Sequence, residues 1–182
     1  MDGKITLARA MIESARDYIP LAVKEAWVAE NAPKCFDKLA ITADSEPMPP
    51  MYMCNTGRKS RYLMAALVGL YFGQDYNAES EENPALMTVE DYDRWAGSHV
   101  LNQVERWKRE PDLRDKCFDI LSDYKNLEKR FSAQITALLT VQNDPVIRQN
   151  EMTSDMVKEL PMLLEQLKGL QAEKGEIDGE SA

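Results

Sequence analysis

The stretch from Asp112 to Gln142 constrains this chain most. Apolar or aromatic residues fall at Leu113, Cys117, Ile120, Tyr124, Leu127, Phe131, Leu138 and Val141. The steps are 4, 3, 4, 3 and 4, then 7 across Gln134, then 3. That is a heptad stripe of about four repeats. At about 1.5 Å per residue it predicts a helical rod of roughly 45 Å, and the remaining segments are expected to fold onto it.

Most other segments also read as helix. Lys4–Ile19 places Ile5, Ala8, Ile12, Ala15 and Ile19 on one face, and Pro20 ends it or opens the next helix, Leu21–Glu30. Lys34–Ile41 is a short third piece. Arg58–Phe72 is apolar on nearly all sides after Tyr62, which predicts a central helix ended by Gly73. Residues 73–87 read as an exposed acidic loop. Thr88, with Asp91 three residues on, approximates a capping box and opens a helix that runs to Pro111. Asn143-Asp144-Pro145 ends or kinks the rod. Met156, Leu160, Leu163, Leu167 and Leu170 step 4, 3, 4, 3 in a last helix, about 154–171, with Pro161 inside it.

The expected architecture is all-α: one helical domain over 1–171, divisible into 1–73 and 88–171, followed by a mobile acidic tail at 172–182. The last helix is expected to form a hairpin with the rod. Pairing of either helix with its copy in a second chain fits the spacing equally well. Cys117, Tyr124, Phe131 and Gln134 on the rod's inner positions favour a globular bundle over a two-stranded coil. Leu67, Trp107, Ile120, Leu127, Phe131 and Leu163 are the expected core.

Charge and composition narrow the function classes. With 22 basic and 31 acidic residues the net charge is -9, which opposes broad adhesion to nucleic acid or anionic lipid. The longest apolar run, Tyr62–Phe72, is eleven residues, and a membrane span needs about 20. The N-terminus carries charges throughout and lacks a signal peptide's apolar centre. A cytoplasmic protein, or one carried in a virion, is expected. Cys35, Cys54 and Cys117 are odd in number and dispersed, so neither a disulfide framework nor a zinc site is expected.

No catalytic motif emerges. His99 is the chain's one histidine and reads as a packing or surface residue. No Glu-x-x-His or G-x-S-x-G occurs. Asn55-Thr56-Gly57-Arg58-Lys59-Ser60 lacks the first glycine of a phosphate loop and follows no strand. Asp75, Asn77, Glu79 and Glu81 alternate like calcium ligands, but Ser80 and Leu86 stand where that loop needs glycine and glutamate. No metal, cofactor or catalytic residue is therefore expected. Two candidate surfaces remain. Arg58, Lys59 and Arg61 at the start of the apolar helix could contact an anion. Met48, Met51, Tyr52 and Met53, in an extended proline-rich connection over 42–60, offer adaptable apolar contact area with Tyr52 as anchor.

Two pieces, ARAMIESARDYI and RYLMAALVGLYF, resemble small helical accessory proteins of tailed bacteriophages and prophages, including head–tail connector adaptors. The resemblance covers under half of the chain. It implies particle assembly or a host-facing role, without catalysis. The expected function is a non-catalytic assembly or adaptor protein with a protein partner or self-association and no membrane contact. The alternatives are a nucleic-acid-associated regulator using Arg58, Lys59 and Arg61, and an enzyme without a recognisable motif.

Overall fold

The computed structural model describes residues 4–43 and 46–179. In order, its elements are α1 (Arg9–Ser14), α2 (Leu21–Asn31), a 3-10 turn (Ala32–Cys35), β1 (Phe36–Ala43), β2 (Glu46–Cys54) and α3 (Thr56–Ala66). A π-helical turn (Leu67–Tyr71) continues α3. Then come β3 (Ala78–Ser80), β4 (Asn83–Met87), α4 (Val89–Gly97), α5 (Val100–Trp107), α6 (Arg114–Gln142) and α7 (Pro145–Gly179).

Helix makes up 66% of the chain, but the fold is mixed α and β, not the all-α bundle expected from sequence: β1 pairs with β2 and β3 with β4 in two small antiparallel sheets. Prolines at 47, 49 and 50 exclude helix around them, yet the extended connection expected over 42–60 holds strand β2 and, from Thr56, the first turn of α3. A two-stranded sheet has only edge strands, and an edge tolerates residues that cannot donate. The acidic loop at 73–87 contains a second hairpin, with Ala78 opposite Met87 and Ser80 opposite Asn83. Strands of 3 and 5 residues are too short to show a period of two.

The chain divides into two compact units: Met1–Asp37 with Met53–Leu139, and Lys38–Tyr52 with Thr140–Ala182. The core lies in the first. On α6, Cys117, Ile120, Leu121, Tyr124, Leu127, Phe131 and Ile135 are buried. The expected stripe holds to Phe131 and then moves to Ile135; Leu138 is half-buried and Val141 exposed. An untwisted helix of 3.6 residues per turn drifts from a 3.5 repeat in this way. Phe131 meets Trp27 at 4.8 Å and Tyr62 at 6.2 Å between ring centroids, and Tyr71 meets Tyr124 edge-on at 5.9 Å. Leu67, Ile120, Leu127 and Phe131 are buried as expected. Trp107 is half-buried, and the side chain of Leu163 lies outside the described residues.

Four expected helical pieces differ: Lys34–Ile41 is a 3-10 turn running into β1, and three others change as follows. Lys4–Ile19 is helical only at Arg9–Ser14, because Ala8 and Ala15 are extended (ψ 155° and 149°). Ile12, Ala15 and Ile19 are still buried, by a non-helical path. The helix from Thr88 breaks at His99, which adopts the left-handed conformation (φ 52°, ψ 47°). Thr88 does cap it, accepting from the Asp91 N–H at 3.3 Å; the Asp91 carboxylate instead accepts from the Asn77 N–H at 2.6 Å. The last helix begins at Pro145, not near 154. Asp144 caps it by accepting from the N–H groups of Val146 (2.9 Å) and Ile147 (3.4 Å), and proline suits the first helical position. The helix continues through Pro161, and residues 180–182 of the expected tail lie outside the described residues.

Candidate functional site

The second unit is built around polar side chains on one face of α7. Arg148 donates from Nε to the Pro50 carbonyl (2.5 Å) and from Nη2 to the Pro49 carbonyl (2.7 Å). Asn143, just before the helix, pairs its amide with the backbone of Tyr52, accepting from its N–H and donating to its C=O, both at 2.9 Å. Lys38 of β1 reaches Glu151 at 2.7 Å and Asp155 at 3.0 Å. The Tyr52 hydroxyl donates to Glu151 at 2.5 Å. Hydrogen bonds from Lys38 and Tyr52 hold the Glu151 carboxyl below its ordinary range. Burial and the contact with Glu151 raise the Tyr52 phenol. These contacts occupy backbone groups of β2 that a further strand would need, so edge-to-edge pairing there is blocked.

The opposite face of α7 is apolar and open. At 100° per residue, Arg148, Glu151 and Asp155 share one side, and Val146, Met156, Val157 and Leu160 lie on the other, centred about 160° away. Those four are exposed by 65%, 55%, 58% and 49%. Among the described side chains of α7 none is buried. α7 spends its polar side on contacts with β1 and β2 and leaves these apolar residues exposed. Ordinary amphipathic helices do the reverse.

Of the residues singled out from sequence, Met48, Met51 and Met53 are exposed and Tyr52 is half-buried, turned to Glu151. Strand alternation explains the difference between Tyr52 and its two neighbours. Arg58 donates to the carbonyls of Lys34 (3.0 Å) and Phe36 (3.2 Å) and pairs with Asp37 (3.1 Å). Arg61 pairs with Glu79 and donates to the Met87 carbonyl at 3.2 Å. Both guanidiniums are thus engaged inside the first unit. Lys59 is half-buried and, among the described residues, has no ion-pair partner. Asn55, not an anion, caps α3 by accepting from the Arg58 N–H at 2.8 Å.

Sequence reasoning did not reveal the buried ionic group of the first unit. Lys24, 3% exposed, pairs with Asp123 of α6. Asp123 also accepts from the Tyr71 hydroxyl (2.9 Å) and the Ile19 N–H (3.0 Å). The Lys24 ammonium sits 4.9 Å from the centre of the Tyr18 ring. Burial first, and then Asp123, push the Tyr71 phenol far up, so Tyr71 is a neutral donor. Three donors on one carboxylate make a lock, with no base left free. Lys24 and Asp123 are 99 residues apart, a separation at which no spacing pattern signals a pair.

Among the described residues, no group of three His, Cys, Asp or Glu side chains could hold a metal ion. Cys35 and Cys117 are buried and reduced, and burial raises the Cys35 thiol to about 12, which leaves it unreactive as a nucleophile. No described helix is long and apolar enough to cross a membrane. Comparison with family models, with curated proteins and with solved structures finds no match.

Proposed function

We propose that this chain is a non-catalytic assembly or adaptor protein, in which two copies pair through the apolar face of α7. One observation carries the reading: a 35-residue helix buries none of its described side chains and exposes Val146, Met156, Val157 and Leu160 together. Helices owe most of their stability in proteins to packing of an apolar face, so this face has a use for a cover. In the sequence, Leu163, Leu167 and Leu170 extend the same 3–4 spacing. A second copy offers the same stripe, and a shared stripe is the usual basis of a two-fold contact. Exposed Met48, Met51 and Met53 add adaptable apolar area on β2. The resemblance to tailed-phage accessory proteins supplies a setting in which such pairing would serve particle assembly.

The test is solution mass by light scattering, with helicity followed alongside. The wild-type chain should scatter at a multiple of 20.7 kDa. Val157→Glu/Leu160→Glu should return it to one chain's mass with the first unit still folded. A wild-type protein that stays monomeric at tens of micromolar overturns the proposal.

A further inference from the structure

A second open feature lies in the first unit and is independent of α7. The N-terminal segment before α1 runs extended along α5, held by side chains that imitate a neighbouring strand. The Gln103 amide accepts from the Leu7 N–H (2.7 Å) and donates to the Ile5 carbonyl (2.8 Å). The Ile5 N–H donates to Ser98 Oγ (2.8 Å), and the Trp107 indole donates to the Leu7 carbonyl (3.2 Å). Leu7 is 1% exposed, so the segment is anchored. Beside it is a cavity of about 470 Å³, within the range of small-ligand sites.

The charge of that cavity is opposite to the charge of the chain. Lys4, His99 and Arg106 line it, and no described acidic residue does, in a protein of net charge -9. Thr6 and Asn102 add neutral donors, and Trp107 gives an apolar wall. Among the described residues, the side chains of Lys4, Thr6, His99, Asn102 and Arg106 have no hydrogen-bond or ion-pair partner, whereas Arg58 and Arg61 are both committed. Gln103 spends its amide on the segment and on the Ser98 carbonyl at 2.7 Å, which leaves these five groups for a ligand.

The backbone contributes as well. His99 is the one described non-glycine residue at positive φ, a conformation that side-chain-bearing residues adopt at a cost. Its turn splits a continuous helical pattern and starts α5 at the cavity, with no side chain capping that end. First-turn N–H groups and the positive end of the helix dipole favour an anion there. We propose that this cavity binds a small phosphate-bearing molecule, with Arg106 and Lys4 on the phosphate and the Trp107 wall against the attached group. Two fixed cations, with the imidazole N–H of His99 beside them, match the double charge of a phosphomonoester better than a single carboxylate.

His99 is the chain's single histidine, so its ring signals in an NMR spectrum need no assignment. The experiment titrates the full chain at low ionic strength with inorganic phosphate, a nucleoside monophosphate and, as comparison, acetate. The expected result is a saturable shift of the His99 ring signals with either phosphate compound. Tighter binding of the nucleotide would place its base on the Trp107 wall; equal binding would reduce the site to phosphate alone. Arg106→Gln should weaken binding about tenfold, the loss expected for one charge-assisted contact, while Lys59→Gln should leave it unchanged. Arg106 is exposed on α5, so circular dichroism should show the variant folded. A linear, unsaturated response, an equal response to acetate, or equal loss in the two variants overturns the proposal.

Discussion

Removing Asp123 should destabilise the first unit more than any single surface contact can. The side chains of Lys24 and Asp123 are 4% and 11% exposed. Asp123→Ala leaves the Lys24 ammonium buried without a counter-charge, a loss of about 3–5 kcal/mol. It also strips the Tyr71 hydroxyl and the Ile19 N–H of their acceptor, each worth about 1–3 kcal/mol when left unmade in the interior. Lys24→Met should cost less, about 1–3 kcal/mol, because Asp123 keeps two donors and a small opening to water. In the Lys24→Met background, Asp123→Ala no longer strands a charge, so the pair should show a coupling of about 2–3 kcal/mol. The assay is urea unfolding read by tryptophan fluorescence. Trp27, Trp95 and Trp107 all belong to the first unit, so the signal reports on it alone. With a slope of about 2 kcal/mol per molar urea, a 4 kcal/mol loss moves the midpoint by about 2 M. If Asp123→Ala shifts the midpoint by less than the Lys24 variant, or the two changes simply add, the lock is not what holds these segments.

Two further outcomes follow from the same geometry. Leu127, fully buried on α6, should cost about 2–5 kcal/mol when truncated to alanine, and a midpoint equal to wild type would place that face in solvent. The Lys38–Glu151–Tyr52 latch should depend on pH at both ends. Glu151 lies below its ordinary 4.5, so its contribution is complete above that value and is lost as pH falls through the lowered one. Tyr52 lies above its ordinary 10, so its contribution is present below 10 and is lost as pH rises through the raised value. Amide exchange on β2 should therefore quicken at both extremes, and in Lys38→Met the acid-side change should shrink. The same acid response in both proteins would show that Lys38 does not hold Glu151.

The sequence by itself determined that α6 is helical and which of its faces is inward. Its heptad spacing placed Leu113 to Phe131 correctly, since side chains 3 and 4 apart share a face whatever surrounds them. Proline at 111 and 145 marked the breaks for a similarly local reason. Elements decided by partners were not legible. Gln103 can hold Lys4–Leu7 extended only because the fold brings together residues 96 apart. Both small sheets depend on pairing that short, proline-bearing strands do not announce. The outward turn of the apolar face of α7 was undetermined for the same reason. Residues 156, 160, 163, 167 and 170 show the same period whether a rod, a second copy or water lies beside them. Only the tertiary arrangement, with Arg148, Glu151 and Asp155 drawn to β1 and β2, decides which side of the helix is left uncovered.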